Sequence, residues 1–170
     1  MTSSFTIKYT AGLSHQLVTI LDIGQPNTSN NTNVKAIWDT GATATVITQN
    51  VVNALGLLPT GMSHVNTANG PTTQNTYIVD VMLPNGINVK DVTVTGANAL
   101  SGGCEVLIGM DIISLGDFSI TNHKGLTCMS FRIPSIHEID YVKNPNFKLI
   151  NKVPPGKSGS NFSSKKKKRK

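Results

Sequence analysis

Asp39 is the acid in this chain whose surroundings suggest chemistry. It ends the apolar run Ala36-Ile37-Trp38 and is followed by Thr40, Gly41 and Ala42. A carboxylate at the end of a buried strand is costly to leave ionised and unpaired, so an acid there implies a use for it. Further along, Val106-Leu107-Ile108-Gly109-Met110-Asp111 repeats the form of an apolar strand that breaks at a glycine near an acid. Carboxylates do general acid–base work, and a pair of them can move protons to and from a bound water. Asp111 reads as a support residue at a helix start, and Asp117, after Gly116, as a solvated turn acid.

Other chemistries lack their residues. No Gly-x-Ser-x-Gly or phosphate-loop pattern occurs. His15, His64, His123 and His137 have no paired ligand spacing, and Cys104 and Cys128 form no CxxC, so neither metal nor cofactor is expected. The two cysteines read as reduced thiols of a cytoplasmic protein. Residues 1–9 carry no apolar signal-peptide core, and no run approaches the roughly 18 apolar residues of a membrane span.

The elements that must position these groups are mostly strands. Alternation over residues 16–23 and 34–38 gives two strands joined by a polar loop, and the second stops at Asp39. Val46 and Ile47 form a short strand. Residues 48–55 follow with Val51, Val52 and Leu55 at helical spacing and Gly56 as the stop. Residues 62–83 alternate again around Asn69-Gly70, a strong hairpin signal, and Pro84-Asn85-Gly86 turns into a third alternating strand at 87–94. A short strand at 104–108 leads into one or two helical turns at 110–115. Strands at 118–121 and 129–133 end the pattern. The expectation is an all-β fold with two short helices, in a domain over residues 12–134. An extension over 135–170, rich in Asn, Pro, Gly, Ser and Lys, reads as largely disordered with a basic end.

The formal net charge of +6 belongs to that end. Six basic residues run from Lys165 to Lys170, and removing them from the 15 basic residues leaves 9 against 9 acidic ones. This tail admits a solvated end, nonspecific attraction to nucleic acid or an anionic surface, or a tag for a specific partner.

The segment Trp38-Asp39-Thr40-Gly41-Ala42-Thr43 with Val46-Ile47 resembles the active-site segment of the retropepsin group of aspartic proteases. Leu107-Ile108-Gly109-Met110-Asp111 resembles the second hallmark of that group, and the order of parts agrees from about residue 13 to 133. The helix at 48–55 and the segment 109–118 make the chain look closer to bacterial or phage members than to viral ones. The resemblance implies a closed antiparallel β-barrel of the retropepsin type and an aspartic endopeptidase acting on polypeptide.

On that reading Asp39 is the catalytic acid, and a homodimer supplies the second carboxylate across a two-fold axis, since the chain has a single Asp-Thr-Gly. Two adjacent carboxylates share one proton; the ionised member activates water and the protonated one donates to the oxyanion. Thr40, Gly41 and Ala42 support the site, and Thr67, Ala68, Asn69 and Gly70 form a flap over an extended substrate. Ile108, Gly109 and Asp111 are structural. Ala42 stands where pepsin-like enzymes carry a hydroxyl donor to the carboxylates, so the working pH moves toward neutral. Thr43 and Met110 replace the acid–Arg pair of viral relatives, removing both charges together. A peptide-binding module without turnover, and a nucleic-acid-associated protein acting through the tail, are the alternatives.

Overall fold

The computed structural model describes residues 3–67, 70–136 and 138–143. In chain order the elements are β1 (Ser3–Lys8), β2 (Val18–Gly24), β3 (Asn31–Trp38), β4 (Val46–Thr48), α1 (Gln49–Leu55), β5 (Gly61–Thr67), β6 (Gly70–Met82), β7 (Asn88–Ala97), β8 (Val106–Ile108), α2 (Met110–Ile113), β9 (Asp117–Thr121) and β10 (Cys128–Ile133). The chain divides into two compact units, Met1–His137 and Glu138–Lys170. In the described part of the second, the Asp140 carboxylate accepts from the Val142 amide at 2.9 Å and pairs with Lys143 at 3.1 Å. The basic end, from Lys165 to Lys170, lies outside the described residues.

The first unit is mostly β, but its strands do not form one antiparallel barrel. Seven strands run in the order β2-β3-β8-β4-β7-β6-β5, with a further β2–β6 pairing, and three more form a separate sheet, β1-β10-β9. The pairing is mixed: β3 runs parallel to β8 and β4 parallel to β7. The antiparallel expectation fails because β8 inserts between β3 and β4, which are neighbours in sequence. Alternation fixes which face of a strand is buried; it carries no information about the direction of a partner brought in from far along the chain.

β5 and β6 pair in register from Gly61↔Thr76 to Thr67↔Gly70. At the β6–β7 turn the Gly86 amide donates to Leu83 O at 2.9 Å, with Gly86 at φ 78°, a conformation that glycine adopts at little cost. Helix α1 begins after Thr48 and stops at Gly56, whose φ of 62° ends it in the left-handed conformation. The Thr48 hydroxyl leaves the helix end uncapped and goes to the Glu105 carboxylate beside β8. That bond ties α1 to the sheet that carries the second motif.

Strand β1 has no counterpart in the sequence reading. It pairs with β10 from Ser3↔Ile133 to Lys8↔Cys128, so the two ends of the unit form one ladder. The seven-stranded sheet contributes most of a largely aliphatic core that includes Ile23, Ile47, Val79, Val81, Val94, Val106 and Ile108. Aromatics are few, yet four of them gather at one spot. Trp38 stacks on Phe118 with ring centres 5.7 Å apart and contacts Phe131 at 5.1 Å and Phe5 at 5.8 Å.

Candidate active site

Asp39 leaves β3 directly after Trp38, whose buried indole anchors the strand end. The indole Nε1 donates to the Thr19 hydroxyl at 3.0 Å, which explains why β2 turns a threonine inward and leaves Ile20 exposed. The Asp39 amide donates to Ile108 O at 3.0 Å, continuing the parallel β3–β8 pairing into the loop. Its carboxylate Oδ1 accepts from the Gly41 amide at 2.8 Å, and its carbonyl accepts from Ala42 at 3.2 Å. A Cβ at position 41 would stand 3.1 Å from that same Oδ1, so glycine keeps the approach to the carboxylate open. Asp39 is half-buried, while Thr40 and Gly41 are exposed beyond it.

The second motif holds this loop from behind. The Met110 amide donates to Ala42 O at 2.8 Å and the Asp111 amide to Thr43 O at 3.1 Å. The Asp111 carboxylate accepts from the Thr45 amide at 2.9 Å, the Thr45 hydroxyl at 2.8 Å and the Ile112 amide at 3.0 Å. Ion–dipole bonds of this kind are the stronger class of hydrogen bond. Gly109 donates to the Thr45 hydroxyl at 3.2 Å, and a Cβ there would meet the Ala44 backbone at 2.6 Å. Two segments far apart in sequence are thus packed backbone to backbone. Met110 stands in that contact as a 36% exposed side chain.

The structure brings Asp39, Thr40, Gly41 and Ala42 against Ile108, Gly109 and Asp111. Of the four hairpin residues singled out in the sequence, Thr67 and Gly70 face each other across the β5–β6 ladder. Ala68 and Asn69 lie outside the described residues. Nearer its base the hairpin forms one wall of a cleft of about 440 Å³, with Ser63, Val65 and Gln74 facing Gly41, Ala42, Thr43 and Ala44. The end of β7, from Thr95 to Ala97, and Val46 complete it. Asp39 stands beside the cleft rather than among its lining residues.

Thr45 is the residue that sequence reasoning passed over. It is fully buried and ties both Gly109 and Asp111 to the loop. Its signal was a hydroxyl inside the otherwise apolar run Ala44-Thr45-Val46-Ile47. Asp117, read as solvated, is instead bonded to Arg132, Ser135 and the Ile136 amide. The Ser135 hydroxyl and the Arg132 guanidinium hold its carboxyl at about 2, below the usual carboxylate range.

Comparison with curated proteins finds no significant match. Among solved structures the chain is similar to a retropepsin-like aspartic protease from Rickettsia conorii, with 17% identity, 78% of this chain and 94% of that one covered, and a TM-score of 0.49. It is also similar to the EIAV protease complexed with the inhibitor HBY-793, at 21% identity over 63% of this chain and 91% of that one, with a TM-score of 0.47. The simian foamy virus protease matches at 20% identity over 55% of this chain and 89% of that one, with a TM-score of 0.39. A family model for the gag-polyprotein putative aspartyl protease matches residues 26–114, which span Asp39, the hairpin and Asp111. With more than half of its length matched by that model, the chain belongs to this aspartyl protease family.

Proposed function

We propose that the chain is an aspartic endopeptidase in which Asp39 supplies one of two catalytic carboxylates and a second copy of the chain supplies the other. The observation that carries the reading is the setting of Asp39. Its backbone is fixed by Ile108, its Oδ1 is held by Gly41, and it stands beside a cleft walled by the hairpin. A carboxylate so oriented is ready to take a proton from water without first reorganising.

The dimer follows from the chemistry. One carboxylate cannot both activate the water and protonate the oxyanion, and the chain holds a single Asp-Thr-Gly. Thr40 is exposed beyond Asp39, and in the dimer it would hydrogen-bond to its symmetry mate across the two-fold axis. Substrate polypeptide lies extended beside the hairpin, which closes over it as a flap at Thr67, Ala68, Asn69 and Gly70. Ala42 supports the loop through its backbone alone. A reducing, cytoplasmic setting suits the free Cys104 and Cys128 thiols. No described helix is long and apolar enough to cross a membrane.

The test compares wild type with Asp39→Asn on a mixed peptide library, with pepstatin as a probe and the oligomeric state measured alongside. Cleavage by wild type alone, inhibited by pepstatin and rising with dimer concentration, is the expected result. Equal cleavage by both proteins, or full activity from a strict monomer, defeats the proposal. Peptide binding without cleavage by wild type would favour the binding-module reading.

A further inference from the structure

The cleft beside the Asp39 loop is lined by uncharged chemistry, and this constrains what enters it. Ala42, Ala44, Val46, Val65 and Ala97 give it small apolar walls. Among the described residues no Asp, Glu, Lys or Arg lines it. His64 touches it, but its side chain is exposed and pairs with the Thr73 hydroxyl at 2.9 Å. In strand β5 it is one residue out of phase with Ser63 and Val65, which puts its ring on the opposite face. A charged substrate side chain entering the cleft would lose water and find no counter-ion.

Polar side chains also line it, among them Thr43, Thr95, Ser63 and Gln74. Ser63 and Gln74 are directly opposite each other across the β5–β6 ladder, and both are half-buried. Among the described residues neither side chain has a hydrogen-bond partner. Their neighbours two residues along, Val65 and Thr76, share that face. The Gln74 carboxamide offers both a donor and an acceptor, where the other polar side chains beside it, Ser63 and Thr95, carry single hydroxyls.

We propose that Gln74 is a specificity-determining residue, and that this cleft selects a substrate side chain ending in a primary amide, glutamine or asparagine. The inference rests on the reading of the chain as an endopeptidase. A substrate amide meets the Gln74 amide as donor to acceptor and acceptor to donor, which no charged or apolar side chain of similar size can do. A site built to bond a polar group discriminates against an analogue that leaves its own polar atoms unpaired.

The test uses a position-scanned decapeptide library in two formats: cleavage by the full chain, and binding to the Asp39→Asn chain, which separates recognition from turnover. Gln74→Leu and Gln74→Lys are compared with the parent in each, after thermal unfolding has shown them folded. The parent is expected to favour Gln over the isosteric Glu, and over Leu, by about fivefold to tenfold at one substrate position. Gln74→Leu erases the preference over Leu, and Gln74→Lys reverses the order so that Glu is taken before Gln. A profile indifferent to both substitutions overturns the inference while cleavage leaves the protease reading standing. An amide preference in binding that Gln74→Lys reverses, with no cleavage by the parent, keeps the inference and removes the protease reading. A folded protein that neither cleaves nor binds any library member defeats both.

Discussion

The Asp111 carboxylate grips Thr45 at two points, accepting from its amide at 2.9 Å and from its hydroxyl at 2.8 Å. Thr45 is fully buried, so neither group can turn to water if the acid is lost. Asp111→Ala is expected to cost about 3 kcal/mol, because it strands a buried amide and hydroxyl. Asp111→Asn keeps one acceptor oxygen and recovers part of the loss. Thermal unfolding checks both: Ala lowers Tm by about 10 °C and Asn by roughly half of that.

Gly109→Ala places a methyl 2.6 Å from the Ala44 backbone, where no side-chain rotation relieves the overlap. The loop from Asp39 to Thr45 must shift or the domain must loosen, at a cost of about 2 kcal/mol or more. Peptide cleavage is expected to fall with stability. A variant with wild-type Tm and wild-type kcat/KM would show that the loop and the second motif are not packed as described.

Trp38 is the single tryptophan, so its fluorescence reports on the strand end before Asp39 without further labelling. Trp38→Phe removes the bond to the buried Thr19 hydroxyl and part of the stack on Phe118. A loss of about 2 kcal/mol is expected from the unpaired hydroxyl and lost packing. The double variant with Thr19→Val should lose less than the sum of the two singles. Denaturant unfolding by circular dichroism measures the coupling.

Asp117 gives the fold an acid-sensitive tie between β9 and β10. Its carboxyl sits at about 2 in the folded chain, against 3.8 for the free side chain, so the folded state prefers it ionised. The stabilisation is therefore complete above about pH 4 and disappears as pH falls through about 2. Wild type and Asp117→Asn should differ in Tm at pH 6 and converge by pH 2. A constant difference across that range would mean the Ser135 and Arg132 bonds do not persist in solution.

Ala42→Ser restores a hydroxyl beside the Asp39 loop. A donor aimed at the paired carboxylates favours their ionised form, so the acid limb of the activity profile should move to lower pH. The pH dependence of kcat/KM for wild type and variant decides it. An unchanged limb would show that the residue after Gly41 does not reach the carboxylates.

What the sequence disclosed is tied to local chemistry. Gly56 ending α1, the β5–β6 hairpin, and the breaks at Asp39 and Gly109 are written in a few adjacent residues. The parallel β3–β8 pairing is not, because Trp38 and Ile108 carry no mark of each other. Strand β1 escaped for a related reason: Ser3–Lys8 is short and half polar, and it becomes a strand by meeting β10. Asp117 looked solvated because its partners, Arg132 and Ser135, come from another strand and the turn beyond it. Thr45 was hidden by being polar in an apolar run, which reads as a weak strand until Asp111 is seen opposite.

Most of the bonds that hold the Asp39 loop from behind come from the segment that begins at Ile108. A chain emerging from the ribosome therefore displays Asp-Thr-Gly long before the residues that shape it exist. Until synthesis passes Asp111 the loop lacks its backing bonds, and until β10 arrives β1 lacks its ladder. The site is thereby delayed until β8, α2 and β10 have all been made, and an interrupted translation product ending before β8 carries the motif without the site.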